Sequence, residues 1–381
     1  MLAGGYDPAA AAAWAPYLAA LPRATGCVLE WPQALLDRFA DTSAAADAAS
    51  MRASGEAVWR EAERALAAAP DGVAPAPDAV EPHFRWALSI LLSRLVRLQT
   101  GPGGAAPGGV GRPQEGAGFE ALVPWADFVN HSPAATSHLA LRDGQVVLAA
   151  DRPYYAGQQL YASYGARASS ELLLSYGFVP PPGTNPADAY LLRLGVADGD
   201  PLAAAKEAAL ARYGLRAQET MPLRHKSWPR ALLPYAAFVR ITGEHLGGGA
   251  AGVDALAERL FLRGELPATP SGACTLQLAE ELLTRALADA AAPLDATRRD
   301  DEGRVKRVFA AAAGAVQRTQ LPRVAQPEVE VVPAPAPRPD EGGPSLAYLQ
   351  AAVASVRVAE ARLLQRTRRL LAQHIERLRA V

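Results

Sequence analysis

The sequence contains few of the residues from which metal sites and disulfide frameworks are built. Its 381 residues include two cysteines, Cys27 and Cys274, and six histidines. Two cysteines so far apart in the chain cannot form a thiolate zinc cluster, and no two histidines have His-x-x-x-His spacing. The hypothesis that Asp127, His131 and His138 bind a metal ion therefore has little support. We expect no metal site, and a reducing compartment rather than a disulfide-stabilised exterior.

The chain also lacks an excess of either charge and any long apolar run. Its 38 basic and 39 acidic residues give a formal net charge of −1. This balance gives no reason to expect nucleic acid or an anionic membrane as a partner. No uninterrupted apolar run approaches the roughly 18 residues of a membrane span. At the N-terminus Asp7 precedes Arg23, the first basic residue, which does not suit a secretory signal or a transit peptide.

Apolar spacing and proline content divide the chain into regions. Residues 8–99 carry apolar residues at three- and four-residue spacing, which predicts helices interrupted by a proline-rich break at Pro70–Pro82. Residues 101–118 are rich in glycine and proline and indicate a loop. From about Tyr190 onward the pattern is helical again, apart from Pro322–Pro344, which we expect to be a disordered insertion.

The middle of the chain has a different character. "ALVPWADFV" is typical of a short strand, and a polar turn at Asn130-His131-Ser132 would follow it. "HLALRDGQVVLAA" predicts a hairpin, because Asp143-Gly144 suits the positive φ angles of a type I′ turn. After a further strand that ends at Tyr164, Ser169 or Ser170 can cap a short helix. Gly177 would end that helix, directly after Tyr176.

Four segments of the chain carry a resemblance to a known family. They are "FRWALSILLSRL" (Phe84–Leu95), "LVPWADFVNHS" (Leu122–Ser132), "YYAGQQLYASYG" (Tyr154–Gly165) and "SSELLLSYGFV" (Ser169–Val179). Together they resemble the SET-domain methyltransferases of the Rubisco large-subunit methyltransferase type, which include the actin-histidine methyltransferase. The resemblance implies an α+β fold, namely a partial SET β-fold with short strands and hairpins, a helical insertion and an all-α C-terminal substrate-binding domain. We expect the family's N-terminal SET segment, with its Gly-x-Gly turn, to be absent, since Gly101-Pro102-Gly103 and Gly109-Val110-Gly111 look like spacer.

The domain boundaries follow from the same resemblance. Residues 1–100 would be the helical insertion-like region of the SET domain and 101–118 the Gly/Pro-rich loop. Residues 119–182 would be the C-terminal half of the SET domain. Residues 190–381 would be the substrate-binding domain, with the proline-rich insertion at 322–344.

The resemblance also implies roles for seven residues. Tyr164 would be the catalytic tyrosine, protonated at neutral pH and therefore a positioning group rather than a base. Tyr176 would contact the cofactor, S-adenosylmethionine, and Phe178 would lie near its adenine. The remaining cofactor-binding residues would be Arg94, whose guanidinium suits a carboxylate, and Asp127, Asn130 and His131.

Taken without the resemblance, the same residues have plainer interpretations. Tyr164, Tyr176 and Phe178 would be packed core aromatics, and Arg94 an exposed ion-pairing residue. Asn130 would satisfy its own backbone in an Asx turn. Asp127 would orient His131 or cap the turn.

We therefore predict a protein-lysine N-methyltransferase that uses S-adenosylmethionine and acts on a non-histone protein. The substrate would dock on the C-terminal helical domain of a monomeric chain, inside the cell, in chloroplast or cytoplasm. The alternative is a degenerate or truncated SET-family protein that binds other proteins without catalysis. In the last helix, Leu349, Val353, Val356, Leu363 and Leu370 predict one buried stripe with a solvated arginine-rich back.

Overall fold

The computed structural model describes residues 8–69, 75–99, 118–246, 249–318 and 343–380. These residues form two compact units that do not follow the order of the chain. Unit 1 consists of residues 1–40, 44–187 and 301–356, and unit 2 of residues 41–43, 188–300 and 357–381. Residues 101–117 of the Gly/Pro-rich segment, both Gly-x-Gly candidates in it and most of the insertion 322–344 lie outside the described residues.

Unit 1 begins with helices, as the apolar spacing predicts. Residues 8–99 are mainly helical, but the proline-rich break is shorter than expected, since the fourth helix begins at Pro77 and contains Pro82. Proline is tolerated at the first turn of a helix, where the backbone N–H needs no partner. The helices are α1 (Pro8–Ala20), α2 (Gln33–Phe39), α3 (Ala45–Ala67) and α4 (Pro77–Arg94), with a 3-10 turn at Val28–Glu30.

Among the residues that the structure describes, the strands of unit 1 form three two-stranded sheets. β1 (Val96–Gln99) pairs antiparallel with β2 (Gly118–Ala121). The predicted hairpin is confirmed: β4 (Leu139–Arg142) pairs with β5 (Gln145–Leu148) in antiparallel register. Its turn residues have the expected positive φ angles, 49° at Asp143 and 75° at Gly144.

Three local predictions for this region were wrong. "VPWADFV" is not a strand but leads through a 3-10 turn at Ala126–Phe128. Asn130-His131 is not a polar turn but strand β3, which pairs in parallel with β6 (Tyr161–Ala162). Tyr164 lies two residues beyond β6 instead of closing it. A two-residue strand is defined by its partner far along the chain, so local sequence does not reveal it.

Helix α5 (Ser169–Tyr176) lies where it was predicted, but neither serine caps it. The N-cap residue is Ala168, whose backbone N–H donates to the Glu171 carboxylate at 2.6 Å. Gly177 ends the helix in the left-handed conformation, with φ 74°. A Cβ atom there would lie 2.2 Å from the main-chain oxygen of Thr25, so only glycine fits this close approach.

Unit 2 is mostly helical, as expected, but it is not all-α. β7 (Ala189–Gly195) and β8 (Gln218–Arg224) form an antiparallel pair. The signal for β7 was present in the sequence, because its buried residues Tyr190, Leu192 and Leu194 alternate with more exposed ones. The helices are α6 (Ala203–Arg212), α7 (Leu232–Arg240), α8 (Gly243–Leu246), α9 (Gly249–Ala257), which continues into a π turn at Glu258–Leu262, and parts of α10 (Thr275–Arg318) and α11 (Leu346–Arg379).

Helix α11 shows the predicted buried stripe, with one exception on its basic side. Leu349, Val353, Val356 and Leu363 are buried, whereas Leu370, the fifth predicted member, is only half-buried. Arg357 is not solvated, because it is buried and its guanidinium donates to Asp41 at 2.9 Å and to the Thr297 hydroxyl at 2.6 Å. No helix in the described ranges is both long and apolar enough to cross a membrane.

Candidate active site

Four aromatic rings from three neighbouring chain segments gather in unit 1. The ring centroid of Tyr164 lies 5.1 Å from that of His131, 5.0 Å from that of Tyr176 and 6.4 Å from that of Phe178. Phe178 also contacts His131 and Tyr176, at 6.1 Å and 6.2 Å. Each pair is tilted or edge-on, the arrangement that the ring quadrupole favours. Four of the seven predicted site residues therefore form one cluster, which we call the aromatic cluster.

The parallel pair β3–β6 brings two of these residues together. Asn130 lies beside Tyr161, and His131 beside Ala162. The backbone N–H of Ser132 donates to the Ala162 oxygen at 3.2 Å and continues the pairing. Tyr164 follows β6 by two residues, so this pairing holds its ring next to the imidazole of His131.

The imidazole of His131 is neutral and its tautomer is fixed. Burial lowers the pKa of His131 to about 4. The backbone N–H of Tyr164 donates to Nδ1 of His131 at 3.1 Å, so Nδ1 is the unprotonated nitrogen and Nε2 carries the hydrogen. The Ala162 oxygen, 3.3 Å from Nδ1, then has no proton to accept from it. The imidazole therefore acts as a fixed, uncharged wall of the cluster.

The phenol of Tyr164 is anchored and protonated. Its hydroxyl donates to the main-chain oxygen of Val129 at 2.8 Å. Burial raises the pKa of Tyr164 above its usual value near 10, and the neighbouring Tyr176 raises it further. With its hydrogen committed to Val129, the phenol oxygen keeps its lone pairs for accepting a hydrogen bond.

Tyr176 and Phe178 are placed by the end of helix α5. Tyr176 is its last residue, and the left-handed turn at Gly177 redirects the chain so that Phe178 also reaches the cluster. Arg167 lies over the Tyr176 ring, with its guanidinium carbon 5.8 Å from the centroid. Burial raises the pKa of Tyr176, so this phenol is also protonated at neutral pH.

Arg94 and Asp127 form a second group, an ion pair, at the end of helix α4. Nη1 of Arg94 donates to Oδ2 of Asp127 at 3.2 Å and to its main-chain oxygen at 3.1 Å. The Asp127 side chain is 1% exposed, and its Oδ1 has no hydrogen-bond partner in the described part of the chain. Asp127 was expected to orient His131 or cap the turn, but it binds Arg94 instead.

The aromatic cluster and the Arg94–Asp127 ion pair lie close to each other. The Arg94 and Asp127 charges act on the pKa of Tyr164 in opposite directions, the guanidinium lowering it and the carboxylate raising it. Asn130, between Asp127 and His131 in the sequence, has a half-buried side chain to which no described residue is bonded. Its amide is therefore open to a ligand. No three His, Cys, Asp or Glu side chains within the described ranges are grouped as metal ligands.

Two groups of the candidate site were not predicted from the sequence. One is the main-chain oxygen of Val129, the acceptor for Tyr164, which no side-chain pattern can reveal. The other is Tyr17, whose hydroxyl donates to Oδ2 of Asp127 at 2.6 Å from a part of the chain with no recognisable motif. Only the packing of helix α1 brings it there.

Comparison with known proteins identifies the fold. A search of solved structures matches the SET domain of LSMT bound to methyllysine and AdoHcy over 96% of this chain and 72% of that one, with a TM-score of 0.65 and 19% sequence identity. Rubisco LSMT bound to AdoMet matches with the same TM-score and coverage.

The fold is that of the LSMT SET domain. It contains a helical C-terminal region, so the expected α+β class is confirmed apart from the β7–β8 pair.

Sequence comparison gives relatives that are named as actin-histidine N-methyltransferases. The actin-histidine N-methyltransferase of Canis lupus familiaris is 30% identical over 185 residues, 48% of this chain and 29% of that protein. The Homo sapiens enzyme is 29% identical over 189 residues. The SET-type resemblance is therefore confirmed, although this chain spans less than a third of the length of these curated relatives. No protein-family model matches the chain.

Proposed function

We propose that this SET-fold chain is a protein N-methyltransferase that uses S-adenosylmethionine and methylates a lysine side chain of a non-histone protein. The aromatic cluster carries this proposal, because the protonated phenol of Tyr164 has its hydrogen already engaged by Val129 and its oxygen available. Structural neighbours bound to AdoMet and AdoHcy, and sequence relatives that are methyltransferases, support it.

The residues present fit this cofactor. S-adenosylmethionine supplies, when bound, a methyl group already activated on a sulfonium. Arg94 would hold its carboxylate, since a guanidinium fork matches a carboxylate in shape and charge. The open amide of Asn130 and the unpartnered Oδ1 of Asp127 offer acceptors for its ammonium group. Tyr176 and Phe178 present ring surfaces suited to the adenine.

Tyr164 would position the acceptor nitrogen. Its O–H donates to Val129, so its oxygen can accept a hydrogen from the incoming neutral amine and align the nitrogen lone pair. It does not act as a base, because its raised pKa keeps the phenol protonated throughout the neutral range. His131, neutral and held by the Tyr164 backbone, would keep water and charge away from that nitrogen.

The acceptor has two candidates, and each has its own support. Lysine is favoured by the fold, because LSMT structures with this fold contain lysine or methyllysine. Histidine is favoured by the sequence, because the curated relatives are actin-histidine methyltransferases. In either case we propose that the helical region of residues 190–381 binds the protein substrate, without nucleic acid or membrane, and that the chain is a monomer.

The second candidate function is a protein-binding module without catalysis. It is favoured by the Arg94–Asp127 ion pair, which already engages Nη1 of the guanidinium that a cofactor carboxylate would need. Such a module would bind a protein partner through unit 2 and would transfer no methyl group.

A methyl-transfer assay with paired tyrosine variants tests the proposal. The acceptors are a lysine peptide from the Rubisco large subunit and a histidine peptide from actin, each with radiolabelled S-adenosylmethionine. Tyr164→Phe should lower the turnover by about 100-fold, the scale on which misalignment of reacting groups acts. Tyr161→Phe is the matched control, because Tyr161 lies on the same segment and its hydroxyl donates only to Gln159.

The outcome separates the alternatives. Transfer to the lysine peptide supports the lysine proposal, and transfer to the histidine peptide alone replaces it with histidine. Equal turnover in Tyr164→Phe and the wild type would remove Tyr164 from its role. Wild-type protein that transfers nothing to either peptide, but retains partner binding, would favour the binding module.

A further inference from the structure

Tyr17 of helix α1 reaches the candidate site from a distant part of the chain. Its hydroxyl donates to Oδ2 of Asp127 at 2.6 Å, and its side chain is buried. Its ring packs against Phe128, with the centroids 5.9 Å apart. The phenol is thus both packed and hydrogen-bonded, which leaves its oxygen a single orientation.

Asp127, the acceptor of that bond, in turn holds Arg94. The same carboxylate oxygen, Oδ2, accepts from Nη1 of Arg94 at 3.2 Å. The guanidinium also lies over the Phe128 ring, 4.9 Å from its centroid. One ring, Phe128, therefore contacts both Tyr17 and Arg94, and one carboxylate oxygen bonds to both.

The charges of this group are complementary. Burial and the neighbouring carboxylate raise the pKa of Tyr17, so its phenol stays protonated and donates to Asp127. Tyr17 and Arg94 both donate to the same oxygen of that carboxylate, Oδ2. Only Nη1 of the guanidinium is engaged by Asp127, and the other N–H groups of Arg94 have no partner among the described residues. They remain available to a ligand.

We infer that Tyr17 is a positioning residue for Arg94: by fixing the Asp127 carboxylate, it orients the guanidinium toward the carboxylate of the bound cofactor. This inference rests on the proposed function, because it needs a ligand carboxylate at Arg94. Tyr17 would act through Asp127, the residue to which its hydroxyl donates. Loss of its hydroxyl leaves Asp127 bonded on one side only, and the Arg94 fork then loses its fixed direction.

Calorimetric binding of two ligands tests this inference on the full chain. AdoHcy has the amino-acid tail that Arg94 would bind, whereas methylthioadenosine has the same nucleoside and thioether without that tail. Tyr17→Phe should weaken AdoHcy binding by about tenfold, the equivalent of one repositioned charge-assisted hydrogen bond. Methylthioadenosine binding should stay within about twofold of the wild type.

Two further variants separate positioning from stability. Ile90→Val loosens the same small hydrophobic cluster as Tyr17 without touching Asp127, so it should lower the melting temperature and leave the ratio of the two affinities unchanged. Asp127→Asn keeps the shape of the side chain but removes both the charge that holds Arg94 and an acceptor for the ammonium group, so it should also lose AdoHcy selectively. Because Tyr17 acts through Asp127, adding Tyr17→Phe to Asp127→Asn should weaken AdoHcy binding no further.

The results are distinguishable from failure of the proposed function. If wild-type protein binds neither ligand, the proposed function fails. Suppose instead that wild-type protein binds both ligands. The positioning role of Tyr17 is then overturned if Tyr17→Phe and Asp127→Asn weaken the binding of AdoHcy and of methylthioadenosine by the same factor, or weaken neither.

Discussion

A buried carboxylate in unit 2 predicts an unusual dependence of stability on pH. Glu360 is 2% exposed, and its Oε1 and Oε2 accept from the hydroxyl of Ser43 at 2.6 Å and from its backbone N–H at 2.9 Å. The pKa of Glu360 is raised from 4.5 to about 7, mainly by burial and to a smaller extent by the charge of Asp188, against the lowering effects of Ser43 and Arg357. The substitution Glu360→Gln, which removes this titrating group, tests its effect on stability.

The sign and size of the effect follow from proton linkage. The folded state binds the Glu360 proton more tightly than the unfolded state, so ionisation destabilises the fold. The stabilisation is complete below pH 4.5 and is lost as the pH rises through 7. A shift from 4.5 to about 7 corresponds to about 3 kcal/mol in total, of which about 2–3 kcal/mol is lost between pH 5 and pH 8.

Glutamine removes the titration but not the hydrogen bonds. Its amide oxygen can accept from the Ser43 N–H, and its NH₂ group can donate to the Ser43 hydroxyl. Glu360→Gln should therefore resemble the wild type near pH 5 and be more stable than it at pH 8 by about 2 kcal/mol.

Urea unfolding followed by far-UV circular dichroism, repeated from pH 5 to pH 8, measures this difference. Glu376→Gln, at an exposed position of the same helix, is the control and should follow the wild-type pH profile. If Glu360→Gln and wild type instead lose stability in parallel as the pH rises, ionisation of Glu360 is not what destabilises the fold.

Two more stability predictions rest on paired variants. Gly177→Ala should cost more than about 2 kcal/mol, because its Cβ would collide with the Thr25 oxygen, whereas Gly183→Ala, with a similar φ of 79° but open space around it, should cost only about 1–2 kcal/mol. Equal losses in the two melting temperatures would contradict the close approach. Arg357→Met should cost about 2 kcal/mol, since it removes buried charge-assisted bonds, whereas Arg285→Ala should change the free energy of unfolding by less than about 0.5 kcal/mol, because its pair with Asp289 is exposed. A loss of the same size in both arginine variants would show that burial does not strengthen the Arg357 contacts.

Features set by local sequence were predictable. The β4–β5 hairpin follows from Asp143-Gly144, whose positive φ angles few other dipeptides adopt easily. Gly177 as the end of helix α5 follows for the same reason. These residues determine the local backbone, so their neighbours matter little.

Features set by distant neighbours were not predictable. The parallel pairing of Asn130-His131 with Tyr161-Ala162 involves two residues on each side, too few for any periodicity. The partner of Asp127 could not be inferred locally, because Tyr17 and Arg94 reach it through the packing of helices α1 and α4. Seven site residues were named from the resemblance, but their bonds had to be read from the structure.

Calorimetric titration of the 381-residue chain with AdoHcy tests whether the proposed site binds the cofactor. The proposed site predicts saturable binding of one ligand per chain, abolished by Arg94→Ala and retained in Arg85→Ala, whose guanidinium lies on the same helix but pairs with Glu56 and Glu81. Absence of binding to the wild-type chain would show that the site does not hold the cofactor. Equal affinity in Arg94→Ala would show that Arg94 does not bind it.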